Sequence, residues 1–179
     1  MGKATQVLRE DHEAILNVLK ILDKMISINS KEELVLLQYY DEFAYFLKIF
    51  ADKCHHEKEE KYLFRELVNK GVNRESGPIG IMLEEHNQGR EYIALMNKSL
   101  ESKDLAKFNI VAQKYLNLLR IHMEKENNIL FVMADQLLDQ SEQDDLFEKL
   151  KKHEESVIGY GVHKKFQSMI KKWAIKFEI

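Results

Sequence analysis

Residues 55–64 read HHEKEEKYLF and residues 122–131 read HMEKENNILF. Each stretch opens on a histidine, carries Lys-Glu at its fourth and fifth positions and closes on Leu-Phe. In each, a histidine stands four residues before a glutamate, His55 before Glu59 and His122 before Glu126. On a helix such a pair shares one face, one turn apart. Each stretch therefore offers an imidazole and a carboxylate to a common point. If the two helices belong to one antiparallel bundle, both pairs can sit at the same level of its core.

Outward from these stretches the pattern stays helical. One proline and seven glycines in 179 residues leave few breaks. From about Ala4 to Ile28, Val7, Leu8, Ile15, Val18, Leu19, Leu22 and Ile26 recur at spacings of three and four, the period of a helix with one buried stripe. Ser30 with Glu33 offers a capping box for a second, long helix reaching about Asn69. Its first turns must overhang the first helix or fold over it. KGVNRESGP, residues 70–78, is the clearest linker. A third helix is expected from Pro78 to Asn97, and Ser102 is expected to cap a fourth from Lys103 to about Leu138. QSEQDD, residues 140–145, reads as a polar break before two shorter helices, Asp144–Val157 and His163–Phe177, parted by the glycines of IGYGV. The fold expected is all-α. An antiparallel up-down four-helix bundle covers residues 1–138, and a helical C-terminal extension, residues 139–179, packs on it.

Composition narrows the function classes. Charged residues at 32%, apolar residues at 45% and a net charge of -3 describe an ordinary soluble domain. No cluster of Lys and Arg has the density that phosphate neutralisation requires, so no nucleic-acid partner is expected. The basic HKKFQSMIKKW reads as a solvated face of a terminal helix. The single cysteine, Cys54, excludes an internal disulfide and an all-cysteine iron–sulfur site. No stretch approaches 18 uncharged apolar residues, and the start carries no apolar signal segment, so no membrane partner and a cytoplasmic location are expected.

The seven histidines are His12, His55, His56, His86, His122, His153 and His163. Four fall one per long helix if His55 is taken from its pair. His153, in KKHEE, reads as part of a solvated charge run. Burying four imidazoles and two carboxylates is costly unless something satisfies them. Two separate Glu–His networks are one solution. A pair of cations bridged by the carboxylates is another, and imidazole with carboxylate suits iron or manganese. A single tetrahedral zinc leaves part of the set unused. Cys54 lies about 100° around the helix from His55 and reads as packing, with a redox-reactive thiol outside the ligand set as the alternative. The upstream aromatics Tyr39, Tyr40, Phe43, Tyr45, Phe46 and Phe50 read mostly as core.

The stretches LREDHEAI, FADKCHHEKEEKYLF, IMLEEHNQGR and HMEKENNILF resemble the hemerythrin-like, HHE cation-binding family. The last three also look like di-iron repair proteins linked to nitrosative stress. The resemblance implies that His12, His55, His86 and His122 are terminal iron ligands and that Glu59 and Glu126 bridge the irons. It implies two non-haem irons joined by an oxo or hydroxo group, with manganese as the alternative metal. Two departures stand out. Hemerythrin has a fifth histidine one turn before the His86 position, where this chain has Met82. His56 is then the first candidate for the missing ligand and His163 the second. The proline that follows Leu-Phe in relatives is absent from LFRE and LFVM. The repair proteins' cysteine-containing N-terminal domain is also not expected here.

The function that follows is binding or reduction of O2, peroxide or nitric oxide at a carboxylate-bridged di-iron centre. Such a protein takes a small diatomic or peroxide ligand, has room for a redox partner, and is expected as a monomer or weak dimer. A non-enzymatic iron or oxygen sensor, or an iron store, is the rival reading, with the C-terminal extension as the segment that metal occupancy would stabilise. Whether the chain is a carrier, an enzyme or a sensor stays open at this point.

Overall fold

The computed structural model describes residues 2–27, 33–159 and 162–178, with side chains from residue 37 onward in the second helix and from 166 onward in the last. Helix α1 is Lys3–Ser27, α2 is residues 33–69, α3 is Gly77–Glu101, α4 is residues 105–137, α5 is Gln140–Ile158 and α6 is Val162–Phe177. The first four form the up-down bundle, with α3 along α4, and the last two form a helical extension in contact with α1. Among the described residues no helix is long and apolar enough to cross a membrane.

The bundle holds two apolar cores with a polar layer between them. One contains Ala4, Leu8, Phe64, Met82, Leu130 and Phe131. The other contains Ile15, Leu19, Phe43, Phe50, Ile93, Tyr115 and Leu119. Along α1 the apolar stripe gives way to Asp11 and His12 between Leu8 and Ile15, with His12 at 0% exposure. The overhanging turns of α2 are covered by α6. Trp173 stacks on Phe43 with ring centroids 4.1 Å apart, and its Nε1 donates to Glu42 Oε2 at 2.8 Å. Phe166 meets Phe46 edge-on at 5.1 Å. Tyr40, Phe43, Phe46 and Phe50 are buried as expected of core aromatics, whereas Tyr45 is exposed.

Helices α2 and α4 are not α-helical throughout. Leu47–His56 and Glu59–Leu63 in α2, and Glu126–Leu130 in α4, close their backbone hydrogen bonds over five residues. The two shorter π-helical turns begin on Glu59 and Glu126, the equivalent positions of the two echoing stretches.

Several boundaries differ from those expected. Helix α3 runs one turn further, to Glu101. The cap of α4 is Asp104, whose side chain accepts from Lys107 N at 2.9 Å, while Ser102 turns back to the Lys98 carbonyl and closes α3. Residues 140–145 are not a break. Asp139 and Glu142 form a reciprocal capping box, so the polar run is the exposed first turns of α5. Gly159, at φ 77°, ends that helix in a backbone region that favours glycine. The Ser30–Glu33 capping box lies outside the described residues.

Candidate metal centre

Seven side chains predicted as ligands meet in the polar layer. His12, His55, His56, Glu59, His86, His122 and Glu126 are each at most 2% exposed. Helix α1 supplies one, α2 three, α3 one and α4 two. Potential ligand atoms of His12, His55, Glu59 and Glu126 lie within 4.8 Å of one another, as do those of Glu59, His86, His122 and Glu126. A third group joins His56 to His86 and His122 at the same separation. The two carboxylates are common to both halves.

The carboxylate oxygens are disposed accordingly. Glu59 turns Oε1 toward His55 Nε2 at 3.6 Å and Oε2 toward His86 Nε2 at 3.4 Å. Glu126 Oε2 lies 3.2 Å from both His12 Nε2 and His122 Nε2, and its Oε1 lies 3.8 Å from His86 Nε2. Each glutamate therefore spans from one histidine group to the other.

His56 enters this layer because of the local backbone. It ends the π-helical stretch Leu47–His56. Closing hydrogen bonds over five residues puts more residues in a turn, so neighbours are rotated by less than the roughly 100° of an α-helix. His55 and His56 can then both face inward. The His56 ring stacks on His86 at a centroid distance of 4.0 Å. Met82 lies one turn before His86, buried in the apolar core.

Four imidazoles are fixed from behind, each by a different helix. His55 Nδ1 lies 3.1 Å from Asp11 Oδ2, and His12 Nδ1 lies 3.1 Å from Asn127 Oδ1. His86 Nδ1 lies 2.7 Å from Glu60 Oε1, and His122 Nδ1 lies 3.0 Å from Glu85 Oε2. Carboxylate and amide oxygens only accept, so each Nδ1 carries a proton and each Nε2 is the ring atom aimed at the centre. A cation backs each acceptor. Arg9 Nη1 donates to Asn127 Oδ1 at 3.2 Å and so sets which way that amide faces. Lys58 backs Asp11 at 3.0 Å, Arg90 backs Glu60 at 2.6 Å, and Lys125 backs Glu85. His56 Nδ1 is 3.9 Å from Asp52 Oδ1, which Arg90 also holds.

The inward atoms test whether cations fit. His86 Nε2 and His122 Nε2 stand 3.1 Å apart, and two neutral rings with their protons on the outward Nδ1 would turn lone pairs on one another. His12 Nε2, His55 Nε2 and both oxygens of Glu59 and Glu126 are buried without a hydrogen-bond partner. Buried polar atoms are normally paired. An imidazole and carboxylate set left this way, with outward nitrogens already committed, has the donor chemistry of a di-metal site.

Without a bound cation, the buried carboxylates and imidazoles compensate one another's charge. Burial would raise the Glu126 carboxyl, but His122, His12 and His86 hold it well below the usual carboxylate range. Burial opposes charge on His86, yet the surrounding carboxylates raise it well above the ordinary histidine value. His56 is pushed well below that value by burial and by His86, His122 and His55, which keeps it a neutral donor. Burial also opposes the Asp11 carboxylate, but Lys58 and His55 bring it down to about 2. Cys54 is buried, and its thiol is pushed up to about 12 by burial, the signature of a packing residue.

His153 is not the solvated residue its charged neighbours suggest. It is buried, and its Nε2 donates to the Lys53 carbonyl at 3.1 Å, fastening α5 to the π-helical part of α2. It stays outside the ligand groups. The His163 side chain lies outside the described residues. Sequence reasoning passed over Asp11, Asn127, Glu60 and Glu85, because each serves a histidine on another helix. It also passed over Tyr115, two turns before His122 in α4, whose buried hydroxyl has no hydrogen-bond partner among the described residues.

Residues 3–134 match the family described as Hemerythrin HHE cation binding domain. No curated protein and no solved structure matches the chain.

Proposed function

The chain belongs to the hemerythrin HHE cation-binding family, and from that premise we propose that it is a non-haem di-iron protein that binds or reduces O2, peroxide or nitric oxide. His12 and His55 would hold one iron and His56, His86 and His122 the other. Glu59 and Glu126 would be shared between them. Manganese is the alternative occupant of the same donors. The observation that carries this reading is the set of inward nitrogens and carboxylate oxygens without hydrogen-bond partners, in a layer otherwise walled by apolar side chains.

When bound, a reduced iron pair supplies electrons and an open coordination position to a small ligand. The residues determine where that position lies. The His12–His55 side offers two imidazoles against three on the other, so it is the side left short of protein donors. Phe131 stacks on His12 at 5.2 Å and Phe64 on His86 at 5.9 Å, which closes the layer to bulky substrates and to bulk water. Asp11, Asn127, Glu60 and Glu85 each accept an outward Nδ1 proton and so aim four Nε2 atoms inward. The sensor reading is favoured by one observation, that the extension reaches the centre's surroundings through Glu154 and Lys58.

Protein from cells supplied with iron, manganese and zinc is expected to carry about two irons per chain and an oxo-bridge absorption. About one zinc per chain with neither iron nor manganese overturns the reading. Steady consumption of peroxide identifies an enzyme, and reversible ligand binding without turnover identifies a carrier or sensor.

A further inference from the structure

Among the cations behind the histidines, Lys58 differs from the others. Its side chain is fully buried, whereas Arg90 and Lys125 reach solvent at 32% and 38% exposure. Its second partner is Glu154 Oε2, at 2.6 Å, on α5. Helix α5 lies beyond the residues that match the family. One oxygen, Asp11 Oδ2, takes both the His55 Nδ1 proton and Lys58 Nζ. His55, Asp11, Lys58 and Glu154 thus form one line from the metal layer to the extension.

The charges along that line set the strength of His55 as a donor. Asp11, Lys58 and Glu154 together carry one net negative charge. An imidazole that donates its outer proton to an anionic partner binds metal more strongly than one facing a neutral group. Without the Glu154 charge, Lys58 is drawn wholly to Asp11, and His55 faces a neutral ion pair. Without both Glu154 and Lys58 charges, Asp11 has the His55 proton as its partner with no cation competing for the shared oxygen.

We propose that Glu154 is a positioning residue for the metal centre: through Lys58 and Asp11 it sets the orientation and donor strength of His55, so that the C-terminal extension determines how tightly the ion on the His12–His55 side is held. This rests on the metal-binding reading above. The effect is one-sided, because the line touches His55 and none of His56, His86 and His122.

The test compares iron-loaded wild type, Glu154→Gln, the double variant Lys58→Met/Glu154→Gln, and Glu155→Gln, which removes the same charge from an exposed neighbour. Methionine keeps much of the lysine's volume; Asp11 then keeps the His55 proton as its partner, and circular dichroism checks that the double variant holds the wild-type fold. Iron release to excess chelator is followed by absorption. Release is expected in two phases. Glu154→Gln accelerates the first about threefold to tenfold, short of the 10–100-fold typical of direct partners of ligands, and leaves the second unchanged. The double variant returns toward wild type, and Glu155→Gln matches it. A purely structural Glu154 predicts a double variant worse than the single one, and that result overturns the proposal. So do equal acceleration of both phases and no acceleration at all. In metal-free protein, nitrogen NMR of His55 is expected to show the proton on Nδ1 in wild type and a tautomer mixture in Glu154→Gln. An unchanged spectrum overturns the proposal as well. Wild type that takes up no metal defeats the metal reading, and the imidazole spectrum then still decides the relay.

Discussion

Replacing Glu126 with alanine is expected to empty the centre of metal while leaving the fold in place. Glu126 Oε2 faces His12 and His122 equally, at 3.2 Å each, and Oε1 faces His86. The side chain therefore serves both halves of the site. Two cations a few ångströms apart repel one another, and each bridging carboxylate lost leaves that repulsion less compensated. Removing a residue that merely orients a ligand typically costs 10–100-fold in metal affinity, so loss of a shared ligand should cost more than about 100-fold. Alanine is a strong helix former, so the substitution carries no propensity penalty. Elemental analysis should find well under about one iron per chain, with the helical circular dichroism of the wild type. Iron content equal to the wild type in this variant would show that Glu126 is not a ligand.

The second large effect concerns the third imidazole of the His86–His122 group. His56→Ala is expected to weaken metal binding on that side about 10-fold to 100-fold and to open a position to exogenous azide. Met82 lies one turn before His86 and is buried in the adjoining core. Adding Met82→His to His56→Ala places a new imidazole on the same face of α3 as His86, and iron retention is expected to recover. The measurement is iron released to a chelator in the two variants. Recovery by the second substitution distinguishes loss of a ligand from loss of packing, because histidine at position 82 does not refill the space left at position 56. A double variant that loses iron as fast as His56→Ala would count against the assignment.

What was legible in the sequence followed from spacing along single helices. His55 with Glu59 and His122 with Glu126 place donors on one face, and the periodic stripe of α1 places His12 inside. The four-helix bundle follows from the same patterns, with few helix breakers. The outer supports were not legible. Asp11 belongs to α1 but serves His55 on α2, and Glu85 belongs to α3 but serves His122 on α4. Such pairs depend on how helices meet, which no one stretch records. The π-helical turns were equally hidden, and with them the reason that adjacent His55 and His56 share the core. His153 was misread because a charged neighbourhood predicts exposure, whereas α5 uses that histidine to reach a backbone carbonyl of α2. The start of α5 was misread because its first turns are polar, although their polarity is that of a capped, exposed helix end.

Anomalous diffraction at the iron edge, from crystals of the iron-loaded chain, tests the central claim most directly. The account predicts two peaks per chain, both in contact with Glu59 and Glu126, one beside His12 and His55 and the other beside His56, His86 and His122. Imidazole nitrogens of all five histidines should lie at ligand distance, about 2.0–2.2 Å from a metal. A single peak, or a His56 ring whose nitrogens are both farther than about 3 Å from either peak, would contradict it.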